Sequence, residues 1–204
     1  MAKANISWLT PDLATGGDLS YLPEEARQQT ADILRSGVTS IIDMRQEDDD
    51  MEFWRDRGME YMLLPTDDSE GHTIPARLFD EAVTRSRRVT REQGKLLVHC
   101  HMGVNRGPSV AYAVLLDRGW GVTEAWDLIR EKRPQAAIYY ARDALIADQF
   151  RRVNERRGLP FSVLDEINAL HTHIQANFGE REIAHVTRHI RARHVRDQKT
   201  YPFV

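Results

Sequence analysis

The chain has 204 residues, of which 41% are hydrophobic, and this is enough for one sizeable globular domain with an appendage. The formal net charge of −3 does not suggest a general nucleic-acid or membrane-binding surface, so any anion site must be local. No apolar stretch is long enough for a signal peptide or a membrane span, and a single cysteine excludes an intrachain disulfide. We therefore expect a soluble, cytoplasmic protein.

Strand and helix patterns alternate through the first 120 residues. Two β-branched or apolar segments, 37–45 and 59–65, predict buried strands. Between them, residues 47–58 indicate a short helix whose acidic residues occupy the first turn. An amphipathic helix is predicted at 76–94 and a third strand at 95–100.

Three further helices are predicted after the third strand, at 108–119, at 122–134 with Thr123 as its N-cap, and at 139–158. The first of them is almost wholly apolar, which places it at the centre of the fold. The alternation favours an α/β fold, with a central, mostly parallel twisted sheet flanked by helices.

A break at Gly158 divides the chain into a domain of residues 1–158 and a C-terminal helical extension of residues 159–204. Helical spacing predicts two amphipathic helices in the extension, at 162–178 and 180–199. The first of them begins with Ser162 and Asp165 in capping-box positions.

The second helix of the extension carries six basic and three acidic residues. We expect residues 162–199 to pack on the domain or to mediate a homodimer. His185 and His189 could share a helix face, but no third metal ligand suggests itself, so a solvated or packing face is favoured.

The only cysteine, Cys100, ends the predicted strand at 95–100, and Arg106 follows after five intervening residues. A cysteine at a helix N-terminus beside a cation can have its pKa lowered to about 3.5–7.5. The helix predicted to begin near Pro108 would turn its free N–H groups toward Cys100. The five intervening residues can curl around a tetrahedral anion with their N–H groups inward; they are His101, Met102, Gly103, Val104 and Asn105.

Gly103 and Arg106 have properties suited to binding a phosphate. Gly103 permits a positive φ in the curled backbone. Arg106 can bind two phosphate oxygens with its planar fork. The pattern predicts a nucleophilic Cys100 in a phosphate-binding loop.

The sequence His99-Cys100-x5-Arg106 resembles the signature of the protein tyrosine phosphatases, and residues 6–157 are similar to the dual-specificity branch. The resemblance implies that Cys100 attacks phosphorus and that water hydrolyses the cysteinyl-phosphate. The N–H groups of residues 101–106 and the Arg106 guanidinium then stabilise the transferring group. His99 is implied to orient the loop, and neither a cofactor nor a metal ion is implied.

In this family an aspartate on a separate loop protonates the leaving group and later activates water. Asp68 follows a predicted strand and lies 32 residues before Cys100, which is typical of the dual-specificity branch. Asp67 is the alternative acid. We favour Asp68 on spacing and expect Asp67 to stabilise the turn.

The chain departs from the family pattern at Gly107, where many relatives have a Ser or Thr whose hydroxyl stabilises the departing thiolate. Ser109 or a loop N–H could substitute for that hydroxyl. Lysine is absent from residues 101–105, which disfavours a phosphoinositide substrate, whereas the run "MGVNR" partly echoes RNA 5′-triphosphatases. We expect phosphotyrosine, phosphoserine or phosphothreonine in proteins as substrate and keep RNA and other non-protein substrates open.

Two alternatives belong to other classes of protein: a rhodanese-like sulfurtransferase and a non-catalytic pseudophosphatase that binds phosphorylated partners. A metal site built from His99, Cys100 and His101 is disfavoured, because neighbours along a strand point to opposite faces. The acidic run at 47–50 fits no calcium loop and is interpreted as a helix start.

Overall fold

The computed structural model describes residues 3–69, 71–157 and 162–177. The strands are β1 (Ile6–Thr10), β2 (Leu13–Gly16), β3 (Ser40–Asp43), β4 (Glu60–Leu63) and β5 (Leu96–His99). The helices are α1 (Pro23–Arg35), α2 (Met51–Arg55), α3 (Ala76–Arg91), α4 (Arg106–Asp117), α5 (Val122–Lys132), α6 (Ala141–Asn154) and α7 (Val163–Asn177).

The five strands form one sheet in the order β1-β2-β5-β3-β4. The β1–β2 pair is antiparallel, and the other neighbours are parallel, so the predicted α/β class with a mostly parallel sheet is confirmed. Strand β5 is central, and its last residue, His99, pairs with Gly16 on one side and Asp43 on the other. Cys100 therefore emerges at the carboxyl edge of the sheet, between the ends of two neighbouring strands.

Helices cover both faces of the sheet because the central strands are apolar on both. Leu96 and Val98 of β5 belong to the large core beneath α3–α7, whereas Leu97 belongs to a smaller core. Ile33 of α1 and Trp54 of α2 complete that smaller core. This alternation is the two-residue period of a strand buried on both sides.

Helix α4 lies at the centre of the larger core, as its apolar sequence predicts. All its residues from Arg106 to Leu116 are buried, and it packs on β2, β5, α3, α5 and α6. A helix this enclosed has a fixed position, so its N-terminus is held rigidly against the end of β5.

The predicted starts of α2 and α4 and the predicted N-cap of α5 differ from the structure by a few residues. Helix α4 begins at Arg106 rather than near Pro108, and α5 has Gly121 rather than Thr123 as its N-cap. The Glu124 carboxylate accepts the Gly121 N–H at 3.2 Å, which explains that start. Helix α2 begins only at Met51, so the acidic run at 47–50 precedes it.

The first helix predicted in the extension is confirmed as α7, with the Ser162 hydroxyl accepting the Asp165 N–H at 3.1 Å. It packs on α5 and α6, and Leu170 and Ile174 are buried in the large core. The helix predicted at 180–199, including His185 and His189, lies outside the described residues. Within the described part of the chain, no helix has the length and hydrophobicity of a membrane span.

Candidate active site

Cys100 directly follows β5 and is 1% exposed. Its backbone N–H donates to the Gly16 carbonyl at 3.3 Å, which ties it to the end of β2. Residues 101–105 connect it to the first residue of α4, Arg106. We call residues 100–106 the Cys100 loop.

All five carbonyl groups of residues 101–105 accept hydrogen bonds from donors outside the curl. In chain order the donors are Asp18 N, Arg133 Nη2, Arg133 Nε, Ala137 N and Ser109 N. By contrast, none of the N–H groups of 101–106 donates to an acceptor among the described residues. Because a peptide's C=O and N–H point in opposite directions, outward carbonyls leave a ring of inward N–H groups that can bind an oxyanion.

Gly103 has the positive φ expected from the sequence, +64°. A Cβ at this position would collide with the Arg133 guanidinium and with the backbone of Gly16 and Gly17. Both the backbone angle and the lack of space therefore require glycine here.

The guanidinium of Arg106 is buried and only partly engaged. Nη1 and Nη2 donate to the two carboxylate oxygens of Glu47 at 2.8 and 2.6 Å, and Nη1 also donates to the Thr66 carbonyl at 3.0 Å. Nε is buried and donates to no partner among the described residues. Nε–H and the second N–H of Nη2 lie on one edge of the planar group, so this edge remains available for two phosphate oxygens.

Glu47 is a site residue that the sequence interpretation missed, because it was assigned to a helix start. Its hydrogen bonds from Arg106 lower its pKa to about 2. The carboxylate is therefore ionised at neutral pH and fixes the orientation of the guanidinium. Glu47 is visible in the sequence as the first acidic residue after strand β3. Its partner Arg106 lies 59 residues further along the chain, so local spacing could not indicate the pair.

The structure places Asp68 at the mouth of the Cys100 loop. Its Oδ1 accepts hydrogen bonds from Asn105 Nδ2 at 2.5 Å and Tyr140 Oη at 3.2 Å. Its Oδ2 lies 3.4 Å from Arg106 Nε, without hydrogen-bond geometry. This position is suited to a group that protonates a leaving oxygen.

The Asp67 side chain instead stabilises the turn in which it lies. Its Oδ1 accepts the N–H groups of Asp68 at 2.7 Å and Ser69 at 3.1 Å, and its Oδ2 accepts the Ser69 hydroxyl. These contacts fit the structural role expected from the sequence, and among the described residues the Asp67 side chain forms no hydrogen bond or ion pair with the Cys100 loop. The assignment of the acid to Asp68 stays a prediction that the geometry favours.

Asn105 connects the Cys100 loop with two neighbouring segments. Its Oδ1 accepts the Tyr139 N–H at 2.7 Å, so its amide nitrogen must face Asp68. The side chain is buried and thus holds a single orientation. The sequence prediction assigned Asn105 only a backbone N–H, and nothing local indicated this bridging side chain.

His99 is buried behind the thiol, in a cluster of charges. Its Nε2 lies 3.6 Å from Asp43 Oδ2, and burial lowers the pKa of the imidazole. Asp43 also accepts hydrogen bonds from Arg45 and from the Tyr61 hydroxyl at 2.6 Å. A neutral, enclosed imidazole fits the predicted orienting role and not proton transfer to substrate.

Arg45 joins the loops around the site and was not recognised from the sequence. It is 1% exposed, and it donates to Asp43 at 2.7 Å, Asp18 at 2.5 Å and Asp50 at 2.5 Å. Asp18 in turn donates its N–H to the His101 carbonyl at 2.9 Å. Within the acidic run at 47–50, Glu47 and Asp50 therefore pair with buried arginines, while Asp49 accepts the Met51 N–H at the start of α2.

The position after Arg106 has no room for a larger residue without adjustment. A Cβ on Gly107 would lie 3.1 Å from the His99 carbonyl carbon and 3.2 Å from Cys100 N. Ser109, the suggested substitute for a hydroxyl here, accepts the Tyr140 N–H at 3.2 Å. Its oxygen is thus engaged with the segment before α6.

Exposed apolar or aromatic side chains lie near the start of the Cys100 loop, and acidic side chains lie near its end. Tyr21 and Met102 are 83% and 64% exposed, and the Tyr21 hydroxyl lies 3.4 Å from the His101 ring nitrogens. Acidic residues lie beside the other end of the loop, where Gln46 Nε2 donates to Asp67 at 3.4 Å and links the loops after β3 and β4. In the described parts of the chain, no three His, Cys, Asp or Glu side chains form a group that could hold a metal ion.

A thiol at the end of a central parallel strand, followed by a loop with unpaired amides and by a partly engaged guanidinium, is the arrangement expected of a cysteine-dependent oxyanion site. The family described as "Dual specificity phosphatase, catalytic domain" matches residues 20–139, which is more than half of the chain. The chain therefore belongs to the dual-specificity phosphatase family, whose members are cysteine-dependent phosphatases.

Individual relatives agree with this membership. Dual specificity protein phosphatase 5 of Rattus norvegicus is 34% identical over 76 residues, which are 37% of this chain and 20% of that protein. Protein-tyrosine-phosphatase IBR5 of Arabidopsis thaliana is 33% identical over 61 residues, 29% of this chain and 24% of that protein. The chain thus matches only about a fifth to a quarter of the length of these curated relatives.

The fold is shared with solved structures. A mouse putative dual specificity phosphatase superposes with a TM-score of 0.61 at 20% identity, covering 74% of this chain and 91% of the mouse chain. A human DUSP28 structure gives a TM-score of 0.60 at 18% identity over 72% of this chain and 95% of the other. At these identities the likeness concerns the fold.

Proposed function

We propose that this protein is a phosphomonoester hydrolase that works through a cysteinyl-phosphate and acts on phosphorylated tyrosine, serine or threonine in proteins. The observation that carries this proposal is the ring of unengaged N–H groups of residues 101–106 next to Cys100. Together with the unengaged edge of Arg106, these groups would bind the three equatorial oxygens of a phosphoryl group. Family membership supplies independent support.

The proposed reaction has two steps. In the first, the Cys100 thiolate forms an S–P bond while the P–O bond to the leaving group breaks, and Asp68 transfers its proton to the leaving oxygen. In the second, the Asp68 carboxylate takes a proton from water, whose oxygen attacks phosphorus as the S–P bond breaks. Inorganic phosphate leaves, and Cys100 and Asp68 return to their starting states.

Charges around the loop support a phosphoprotein over a polyphosphorylated substrate. Glu47, Asp48 and Asp49 are exposed in the loop after β3, and Asp68 is exposed in the loop after β4. These carboxylates would repel the additional phosphates of an inositol lipid or a 5′-triphosphate RNA. They favour a single phosphate on a peptide, especially one with basic neighbours.

The test measures hydrolysis of p-nitrophenyl phosphate by the full chain, followed by a panel of phosphopeptides, a phosphoinositide and 5′-triphosphate RNA. We expect turnover that vanadate inhibits competitively and that Cys100→Ser abolishes. Phosphopeptides with basic flanks should be better substrates than matched peptides with acidic flanks. Preference for the lipid or the RNA would refute the phosphoprotein assignment, and full activity in Cys100→Ser would refute the mechanism.

The other classes of protein gain no support. A sulfurtransferase needs no proton donor beside its cysteine, whereas Asp68 lies within ion-pair distance of Arg106. A pseudophosphatase would be expected to lack one of the reactive groups, and Cys100, Arg106 and Asp68 are all present. An assay of sulfur transfer from thiosulfate to cyanide should therefore be negative.

Two further expectations belong to the proposal. We place the protein in the cytoplasm, because a thiol nucleophile without a second cysteine is best preserved in a reducing compartment. We assign catalysis to residues 1–158 and a packing or dimerising role to 159–204. The burial of Leu170 and Ile174 supports packing for the described part of this extension.

A further inference from the structure

Arg133 differs from the other buried arginines of the described residues in the groups it binds. Arg45, Arg106 and Arg151 each form ion pairs with carboxylates. Arg133 is 1% exposed, yet within the described residues it has no carboxylate partner. A buried charge without a counter-charge is destabilising, so its presence here calls for a functional reason.

The hydrogen bonds of Arg133 go to the back of the Cys100 loop. Nε donates to the Gly103 carbonyl at 2.5 Å, and Nη2 donates to the Met102 carbonyl at 3.3 Å. Asn5 Oδ1, at 2.9 Å from Nη2, and Ser7 Oγ, at 3.4 Å from Nη1, complete the set. One guanidinium thus binds two successive carbonyls of the loop and anchors itself on the β1 segment.

The planarity of the peptide bond converts these contacts into an effect on the opposite side of the loop. The Met102 carbonyl shares its peptide with the Gly103 N–H, and the Gly103 carbonyl shares its peptide with the Val104 N–H. When Arg133 holds both carbonyls outward, both N–H groups are held inward, toward the space next to Cys100. Gly103 allows this close approach, because any side chain there would collide with Arg133.

The charges near Arg133 give a second reason for its position behind the Cys100 loop. Burial lowers the pKa of Arg133, and the negative charge of Cys100 opposes that shift. A bound dianion would add further negative charge on the same side. Arg133 thus lacks a permanent partner but gains one when the thiolate and an oxyanion are present.

We propose that Arg133 is a positioning residue for phosphate binding, which aims the N–H groups of Gly103 and Val104 and supplies a cation behind the loop. This inference rests on the proposed function, because it concerns the same oxyanion site. It predicts that the affinity for an oxyanion depends on Arg133 even when no ester is hydrolysed.

The test compares Arg133→Ala and Arg133→Lys with the wild-type full chain, and uses Arg151→Ala as a control for the loss of a buried arginine elsewhere. Tungstate binding is measured by calorimetry and by the rise in melting temperature, and turnover is measured with p-nitrophenyl phosphate. We expect Arg133→Ala to lose about 100-fold in kcat/KM, because a displacement of about 1 Å in the groups that hold the substrate can cost that much. Its tungstate affinity should fall as well. Added guanidinium at millimolar concentration should restore part of the lost kcat/KM and part of the lost tungstate affinity.

Arg133→Lys keeps the charge but lacks the planar fork of the guanidinium. Its tungstate affinity and its kcat/KM should therefore lie between those of the alanine variant and the wild type. Arg151→Ala should be less stable but bind tungstate as the wild type does. Unchanged tungstate affinity in a folded Arg133→Ala would overturn the inference, and if that variant does not fold, unchanged affinity in Arg133→Lys would do so. A wild type that binds tungstate but hydrolyses no ester would instead refute the proposed function, while the tungstate comparison would still decide the role of Arg133.

Discussion

Arg106 is held in place by Glu47 on one edge, which bears on its proposed role in phosphate binding. Its Nη1 and Nη2 atoms donate hydrogen bonds to Glu47, whereas the buried Nε lies 3.4 Å from Asp68 Oδ2 and has no hydrogen-bond partner within the described residues. A free guanidinium would have to lose rotational freedom when phosphate binds. Here the hydrogen bonds to Glu47 order one edge of the group in advance, and we propose that the other edge binds the phosphate of the substrate.

The two neighbouring aspartates can be separated by their dependence on the leaving group. Asp68→Asn should slow hydrolysis of phenyl phosphate, which has a poor leaving group, by about 100-fold or more, the usual contribution of a general acid. The effect on a substituted phenyl ester with a good leaving group should be much smaller. Asp67→Asn is the matched control and should change both rates equally. The opposite pattern would assign the acid to Asp67.

Gly107 leaves the second step without the hydroxyl found in many relatives. We expect cysteinyl-phosphate to accumulate, so stopped-flow traces should show a burst of phenol equal to the enzyme concentration. Gly107→Ser should weaken the burst and raise kcat, because one well-placed donor can contribute about 100-fold or more to such a step. Gly107→Ala adds the same crowding at 3.1 Å from His99 and controls for it. A wild type without a burst would show that another group already supports the second step.

At the scale of elements, the loop after β3 contributes as much to the site as the Cys100 loop does. It supplies Glu47 to Arg106 and Arg45 to Asp18 and Asp50. The loop is held by these ion pairs with two buried arginines rather than by regular structure, since α2 begins only at Met51.

Glu47→Gln tests this loop through its pH dependence. The pKa of Glu47 is held at about 2, below its ordinary value of 4.5, by hydrogen bonds from Arg106. The stabilisation from the pair should therefore be complete above about pH 4.5 and be lost as the pH falls toward 2. In urea titrations, the wild type should exceed Glu47→Gln in free energy of unfolding near pH 6, and the gap should narrow near pH 3. A gap that is constant across this range would show that the ionised pair contributes nothing to stability.

The elements with strong periodicity could be predicted from the sequence, and those without it could not. The apolar strands β3–β5 and helices α3, α4 and α6 were each predicted within a few residues of their bounds. Strands β1 and β2 and helix α1 were not predicted, because strands of five and four residues and a helix with only a few apolar residues offer few positions from which a hydrophobic period can be recognised. Cys100, Arg106 and Gly103 follow from local spacing, whereas Glu47, Arg45 and Arg133 depend on contacts between distant segments.

For the whole molecule, α7 provides a test of the C-terminal extension. Leu170 and Ile174 are buried against α5 and α6, far along the chain from the Cys100 loop. Leu170→Ala should lower the free energy of unfolding by about 2–5 kcal/mol through the cavity it creates. We expect kcat/KM to remain unchanged at a temperature where the variant is folded, with the exposed Leu164→Ala as a control. Loss of kcat/KM in a folded Leu170→Ala would show that α7 takes part in the site.

The whole fold brings one sulfur atom to the carboxyl edge of the sheet, where amides from one loop surround it. The most direct test is to quench the full chain during turnover of p-nitrophenyl phosphate and locate the phosphoryl group by peptide mass spectrometry under acidic conditions. We predict phosphate on the peptide that contains Cys100 and none in the Cys100→Ser variant. Turnover with the phosphoryl group on another residue, or on none while Cys100→Ser stays active, would contradict the account.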